Sequence, residues 1–161
     1  MKNIWAPWRM EYILGPKEKE CIFCVKPREN DDKKNLIVCR GKHNYVILNL
    51  YPYNNGHLMV VPYRHTSDVL GLGADEAADM MNMVKMCVAA LRGAFKPQGF
   101  NIGMNLYSAS GAGIDEHLHM HVVPRWDGDT NFMPVVADTR VIPQHLQSSY
   151  EALVGRFPPD E

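Results

Sequence analysis

Histidines at positions 117, 119 and 121 alternate with Leu118, Met120 and Val122 in the stretch HLHMHVVPRW. Such alternation has the period of a β-strand, which sends residues i, i+2 and i+4 to one face. Three imidazoles therefore line one side and apolar side chains the other. The apolar side needs a core to pack on, and the imidazole side needs a polar purpose. At a rise of ~3.3 Å per residue the outer two backbones stand about 13 Å apart, near the limit for two imidazoles each reaching one metal at about 2 Å. Reach thus disfavours one metal shared by all three. A neighbouring pair could still bind one, or a single histidine could serve a metal while the others do chemistry.

The strand needs partners, and the rest of the chain offers them. LIVCR (36–40), NYVILNLY (44–51) and HLMVVPY (57–63) are rich in β-branched and aromatic residues, and PYNNG (52–56) is turn chemistry that makes an antiparallel hairpin of the last two. A helix is expected over about 75–95, where Ala77, Met80, Met81, Val84, Val88, Leu91 and Phe95 share a face. Asp75, Glu76 and Asp79 suit its positive end, and KPQG (96–99) stops it. FNIGMNL (100–106) and HLHMHVVPR (117–125) are two further strands joined by YSASGAG. Pro143 opens a second amphipathic helix carrying Leu146, Tyr150, Leu153, Val154 and Phe157. The charged run KPRENDDKKN (26–35) lacks apolar periodicity and reads as a solvated loop. The sum is one α+β domain over 1–161: about five antiparallel strands, a long packed helix and a C-terminal helix.

Charge narrows the partners. A net charge of -1 and a pI near 6.6 give no broad attraction for nucleic acid or an anionic membrane. No apolar run approaches the roughly 20 residues of a membrane span, and MKNIWAPWRMEYI lacks the apolar core of a signal peptide. A cytoplasmic location is expected. Of the four cysteines, Cys39 lies in a strand and Cys87 on the helix's apolar side, as packing residues do. Cys21 and Cys24 have metal-ligand spacing but supply only two of the four ligands that zinc takes.

HLHMHVV resembles the His-x-His-x-His-x-x signature of the histidine triad superfamily of nucleotide hydrolases and transferases. WAPWRMEYI, CIFC, LNLYPYNNGHLMVVPYRH, GFNIGMN, GAGI and HVVPRWDGDTNFMPV extend the likeness over nearly the whole chain, to a bacterial branch that includes diadenosine tetraphosphate phosphorylases. The resemblance implies a homodimer and a nucleotide substrate. It makes His119 the nucleophile that forms a covalent nucleotidyl-histidine, with His121 and His57 completing the catalytic group. Imidazole suits that role, being nucleophilic when neutral and a good leaving group when protonated. Asn49 takes the ribose-binding position, Asn105 the site's amide position, and Gly111, Ala112 and Gly113 the loop whose amides approach phosphate. Asn49 could instead bond its own backbone within the hairpin. Where related proteins usually carry glycine, two residues after the asparagine, this chain has Tyr107.

In zinc-containing relatives the ligands beyond Cys-x-x-Cys are the histidine of Pro-x-x-His, here His65, and the first histidine of the triad, here His117. The resemblance thus implies a closed, structural zinc site of Cys21, Cys24, His65 and His117, within an N-terminal segment spanning about 1–35. The competing reading leaves the cysteines reduced and His65 capping the following turn. His43 and His145 match nothing and read as surface residues. Arg125 could clamp phosphate or form a salt bridge. Trp5, Trp8 and Trp126 read as packing or dimer-interface residues, and about 140–157 as a C-terminal helical extension. Three other functions remain compatible with these residues. One is hydrolysis of adenosine phosphoramidates or similar AMP conjugates; another is a catalytically idle, zinc-stabilised nucleotide-binding module; the third is a metallohydrolase with zinc in the triad.

Overall fold

The computed structural model describes residues 20–129 and 144–158. Five strands, β1 (Ile37–Arg40), β2 (Asn44–Leu48), β3 (Leu58–Pro62), β4 (Gly99–Met104) and β5 (Met120–Arg125), form one antiparallel sheet in the order β1-β2-β3-β5-β4. The histidine strand thus lies between β3 and β4, the two segments that precede and follow the long helix. Four α-helices accompany the sheet among the described residues: α1 (Ile22–Val25), α2 (Asp32–Asn35), α3 (Ala74–Phe95) and α4 (Leu146–Val154). α3 lies against β2, β3 and β5, and α4 packs on α3 and β1.

The β2–β3 hairpin forms as its turn chemistry requires, with Leu48 opposite Leu58 and Asn44 opposite Pro62. Its strands are shorter than the sequence pattern suggests. β2 ends at Leu48, and 49–57 form a wide connection closed by the Asn49 amide donating to the His57 carbonyl at 2.9 Å. Gly56 is mandatory at its tip. Its φ of +72° is left-handed, and a Cβ there would sit 2.8 Å from the Phe95 ring.

Two expectations are corrected. The buried face of α3 consists of Met80, Met83, Val84, Cys87, Ala90 and Leu91, while Ala77 and Met81 are exposed. The start of the helix meets β2 through polar bonds, Asn44 donating to the Glu76 carbonyl at 3.1 Å and to Asp79 at 2.7 Å, and the apolar face that packs on the core begins only at Met80. The run 26–35 is folded rather than a loop. A 3-10 turn at Lys26–Arg28 is followed by α2, whose N-cap Asp31 accepts the Lys34 amide at 3.1 Å. Asp32 pairs with Arg40 on β1 at 2.6 Å, and buried Asn35 donates to the Lys26 carbonyl and Glu29. The charged side chains pair locally, which is how a sequence without apolar periodicity still folds. At the other end, α4 buries Tyr150 and Leu153, with Phe157 just beyond, but exposes Val154; Pro143 lies outside the described residues.

Candidate active site and metal centre

Regular pairing in β5 begins at Met120, so His117 and His119 precede the ladder and only His121 stands within it. The simple three-on-one-face picture is corrected accordingly. Freed from strand geometry, His117 turns toward α1, while His119 and His121 stay together with ring centroids 4.8 Å apart. All three are buried.

His117 enters a cluster with Cys21, Cys24 and His65, whose ligand atoms all lie within 4.8 Å of one another. His117 Nδ1 is 3.3 Å from Cys21 Sγ, 3.5 Å from Cys24 Sγ and 3.2 Å from His65 Nδ1, and Cys24 Sγ is 3.4 Å from His65 Nδ1. A tetrahedral ion with Zn–S of about 2.3 Å and Zn–N of about 2.0 Å would set S···N edges of about 3.5 Å and an N···N edge of about 3.3 Å. The donor set fits that geometry. The His117 Nε2–H donates to the Pro62 carbonyl at 2.9 Å, which leaves Nδ1 as the lone pair facing the sulfurs. Burial pushes His117 down to about 4, so it is the neutral ligand form at neutral pH. The competing role for His65, capping the next turn, falls instead to Thr66 and Asp68: Thr66 Oγ1 accepts the Asp68 amide at 3.3 Å, and Asp68 caps Leu70 at 2.9 Å.

Beside this cluster lies a second one of different chemistry. The His119 Nδ1–H donates to the His117 carbonyl at 2.8 Å, leaving Nε2 with its lone pair. Burial lowers the His119 pKa, which keeps the ring neutral. His57 and His121 form a directed chain. The Tyr53 backbone N–H can only donate, and it reaches His57 Nδ1 at 3.0 Å. His57 must then carry its proton on Nε2 and donate to His121 Nδ1 at 2.9 Å. His121, pushed down to about 4 mainly by burial, is neutral and holds its own proton on Nε2, a buried atom with no partner among the described residues. The pair therefore presents one N–H donor and, two residues away, one imidazole lone pair.

Two aromatic rings that sequence reasoning overlooked hold this arrangement. Tyr53 lies 4.6 Å from the His57 ring and 5.5 Å from that of His121. Phe23, between the two cysteines, packs against both His117 and His119 at 5.6 and 5.1 Å. Their positions in PYNNG and CIFC, inside motifs already singled out, were the only signal.

The remaining candidates are spread around the two clusters. The Asn49 amide nitrogen is 3.3 Å from His57 Nδ1, and its oxygen accepts the Tyr51 amide at 2.9 Å, the local Asx turn. Half-buried Asn105 follows β4, and Gly111, Ala112 and Gly113 lie in the surface loop just before His117. Arg125 resolves as a salt bridge rather than a phosphate clamp. Its guanidinium grips Asp129 at 2.6 and 2.7 Å and the Asn101 oxygen at 2.8 Å. The Trp126 indole donates to the Phe95 carbonyl at 3.3 Å, a packing role, while Trp5 and Trp8 lie outside the described residues. His145 is exposed and caps α4 through Nδ1, whereas His43 is half-buried, its Nε2 enclosed where β2 meets the start of α3.

A family model described as the HIT domain matches residues 30–128. The chain belongs to the HIT family. A Mycobacterium tuberculosis relative named AP-4-A phosphorylase is 39% identical to this HIT protein over 165 residues, covering 98% of this chain and 85% of its own. An uncharacterized HIT-like protein of Methanocaldococcus jannaschii is 31% identical over 109 residues, covering 68% of this chain and 81% of its own. A Zn-bound histidine triad family protein from Mycobacterium smegmatis shares the fold with a TM-score of 0.67 at 23% identity, over 85% of this chain and 92% of that one. No helix among the described residues is long and apolar enough to cross a membrane.

Proposed function

We propose that this HIT protein cleaves dinucleoside polyphosphates, with diadenosine tetraphosphate as the favoured substrate, through a covalent nucleotidyl-His119 intermediate. The observation that carries the reading is the pairing of the unprotonated Nε2 of His119, a buried residue, with the N–H of His121 held in place by His57. In the first step His119 Nε2 forms a bond to the α-phosphorus as the bond to the departing nucleotide oxygen breaks. The His121 Nε2–H faces the developing negative charge on the phosphoryl oxygens or the leaving oxygen. In the second step an acceptor oxygen takes the nucleotidyl group and the N–P bond breaks, restoring the imidazole. The M. tuberculosis relative's name supports inorganic phosphate as that acceptor. Asn49 would meet the ribose hydroxyls, and Asn105 with the Gly111–Gly113 loop would meet the phosphates.

Cys21, Cys24, His65 and His117 would hold zinc with no open position. The ion would supply structural cross-linking between α1 and the histidine segment and keep the two sulfurs as thiolates. A cytoplasmic location belongs to the same reading, since such a set needs reduced sulfur. So does a homodimer, for which the edge strand β4 with its 46% exposed Ile102 is the natural surface.

The test is product analysis of diadenosine tetraphosphate with and without inorganic phosphate. ADP plus ATP, only with phosphate, identifies a phosphorylase; AMP plus ATP in both conditions identifies a hydrolase. Absence of product refutes the substrate and points to smaller AMP conjugates. A His119→Ala variant that retains metal and full activity refutes the intermediate.

A further inference from the structure

Tyr107 is the residue whose backbone agrees least with its side chain. Its φ of 63° and ψ of 173° fall in a region that is essentially reserved for glycine. A glycine would adopt this conformation without strain, yet this chain places a phenol there, with the residue 53% exposed. Such a backbone persists only when its surroundings over-determine it.

The surroundings are specific. The Tyr107 hydroxyl donates to Asp68 Oδ1 at 3.3 Å, and the nearby carboxylate raises the phenol's pKa, so the proton stays in place. The Tyr107 carbonyl accepts the Ser110 amide at 3.3 Å and the Ser110 hydroxyl at 2.7 Å, and the Gly111 amide donates to the Ser108 carbonyl at 3.3 Å. On the other side, the Thr66 carbonyl accepts the Leu118 amide at 2.6 Å. The Thr66–Asp68 turn therefore braces the glycine loop at both ends, by a phenol where the loop begins and by a main-chain bond where it meets the triad. Register places all of this at one end of the sheet, because Met104 pairs with Met120 and Val60 with the same residue from the other side.

We infer that Tyr107 is a positioning residue, a latch through Asp68 that holds the 108–113 loop for substrates carrying phosphates beyond the one attacked. The inference rests on the proposed phosphate-cradling role of that loop. Attack at the α-phosphorus needs His119 and His121, which the latch does not touch. A polyphosphate tail reaching the loop's amides gains from having them fixed in advance. A small leaving group makes no such demand.

The experiment compares Tyr107→Phe, Asp68→Asn and the wild type on diadenosine tetraphosphate and on adenosine 5′-phosphoramidate, with amide hydrogen exchange of 108–113 followed without substrate. One hydrogen bond of ordinary strength corresponds to about a fivefold effect. Tyr107→Phe is expected to raise KM for the tetraphosphate about three- to tenfold, more than for the phosphoramidate, with kcat little changed and loop exchange accelerated. Asp68→Asn keeps an acceptor oxygen and is expected to stay close to the wild type on every readout. Equal losses of Tyr107→Phe on both substrates, or kinetics and exchange indistinguishable from the wild type, overturn the latch. A wild type inactive on both substrates refutes the enzymatic reading and the specificity role with it, and unaltered exchange in Tyr107→Phe refutes the latch independently.

Discussion

Replacing Tyr45 with phenylalanine tests whether the sheet holds the metal cluster in place. The Tyr45 side chain is fully buried in β2, and its hydroxyl donates to the Phe23 carbonyl at 2.7 Å, in the middle of α1 between Cys21 and Cys24. Burial also raises the phenol's pKa, so it remains a donor through the alkaline range. Tyr45→Phe keeps the ring and removes only the donor, leaving a main-chain acceptor without its phenol partner. Losing such a bond costs about 1–3 kcal/mol when the stranded group stays buried. At about 2–4 °C per kcal/mol for a chain of this size, a central cost of about 2 kcal/mol lowers Tm by about 4–8 °C. If α1 alone loosens, the same energy appears as up to about a 30-fold weaker hold on zinc, since about 1.4 kcal/mol is tenfold. Thermal unfolding with and without chelator gives the first number, and competition with a zinc indicator gives the second. A variant with Tm within about 1 °C of the wild type and unchanged zinc competition would refute the coupling of β2 to α1.

Other outcomes follow from the same geometry. His57→Ala removes the donor that fixes the His121 tautomer and should lower kcat by about 10²-fold with metal content unchanged; steady-state kinetics alongside metal analysis checks it. Chelation should abolish turnover only as fast as near-ultraviolet circular dichroism shows the fold loosening, and immediate loss with the spectrum intact would point to a metal that takes part in chemistry. Hydrogen bonding from Arg125 lowers Asp129 from 3.8 to about 2. A depressed carboxylate stabilises the fold above its unfolded value, and that contribution fades as pH falls from about 4 to about 2. Asp129→Asn should therefore flatten the acid limb of a stability profile across that window.

The sequence was legible where one local rule decided the outcome. Alternation in 117–125, the turn residues of PYNNG and the helical spacing before KPQG each named an element that exists, and motif resemblance named both clusters. It was less legible where tertiary contact overrode period. His117 leaves the strand because Pro62 and the two cysteines offer its two ring nitrogens partners that a ladder position would not. The face of α3 could not be read from composition, since Met81 and Met83 are chemically identical and only the sheet's position decides between them. The fold of 26–35 rests on Asp32 meeting Arg40 and Asn35 meeting Glu29, pairings between charged or polar residues that leave no hydrophobic trace. Nor could the direction of the His57–His121 chain be inferred, because it depends on one main-chain N–H, that of Tyr53.

β3 sets a fixed length between the two centres. His57 stands immediately before it and Pro62 ends it, with the turn to His65 directly after; its five residues are buried throughout. At ~3.3 Å per residue the strand spans about 16 Å, and this interval keeps the proton chain at one end in step with the sulfur-lined cluster at the other. Paired on both sides by β2 and β5, it cannot stretch or slip to absorb a change. Apolar side chains within it are exchangeable for others of similar volume, whereas inserting or deleting one residue would pull the two centres out of phase. In this protein β3 acts as a ruler, and its number of residues matters more than their identity.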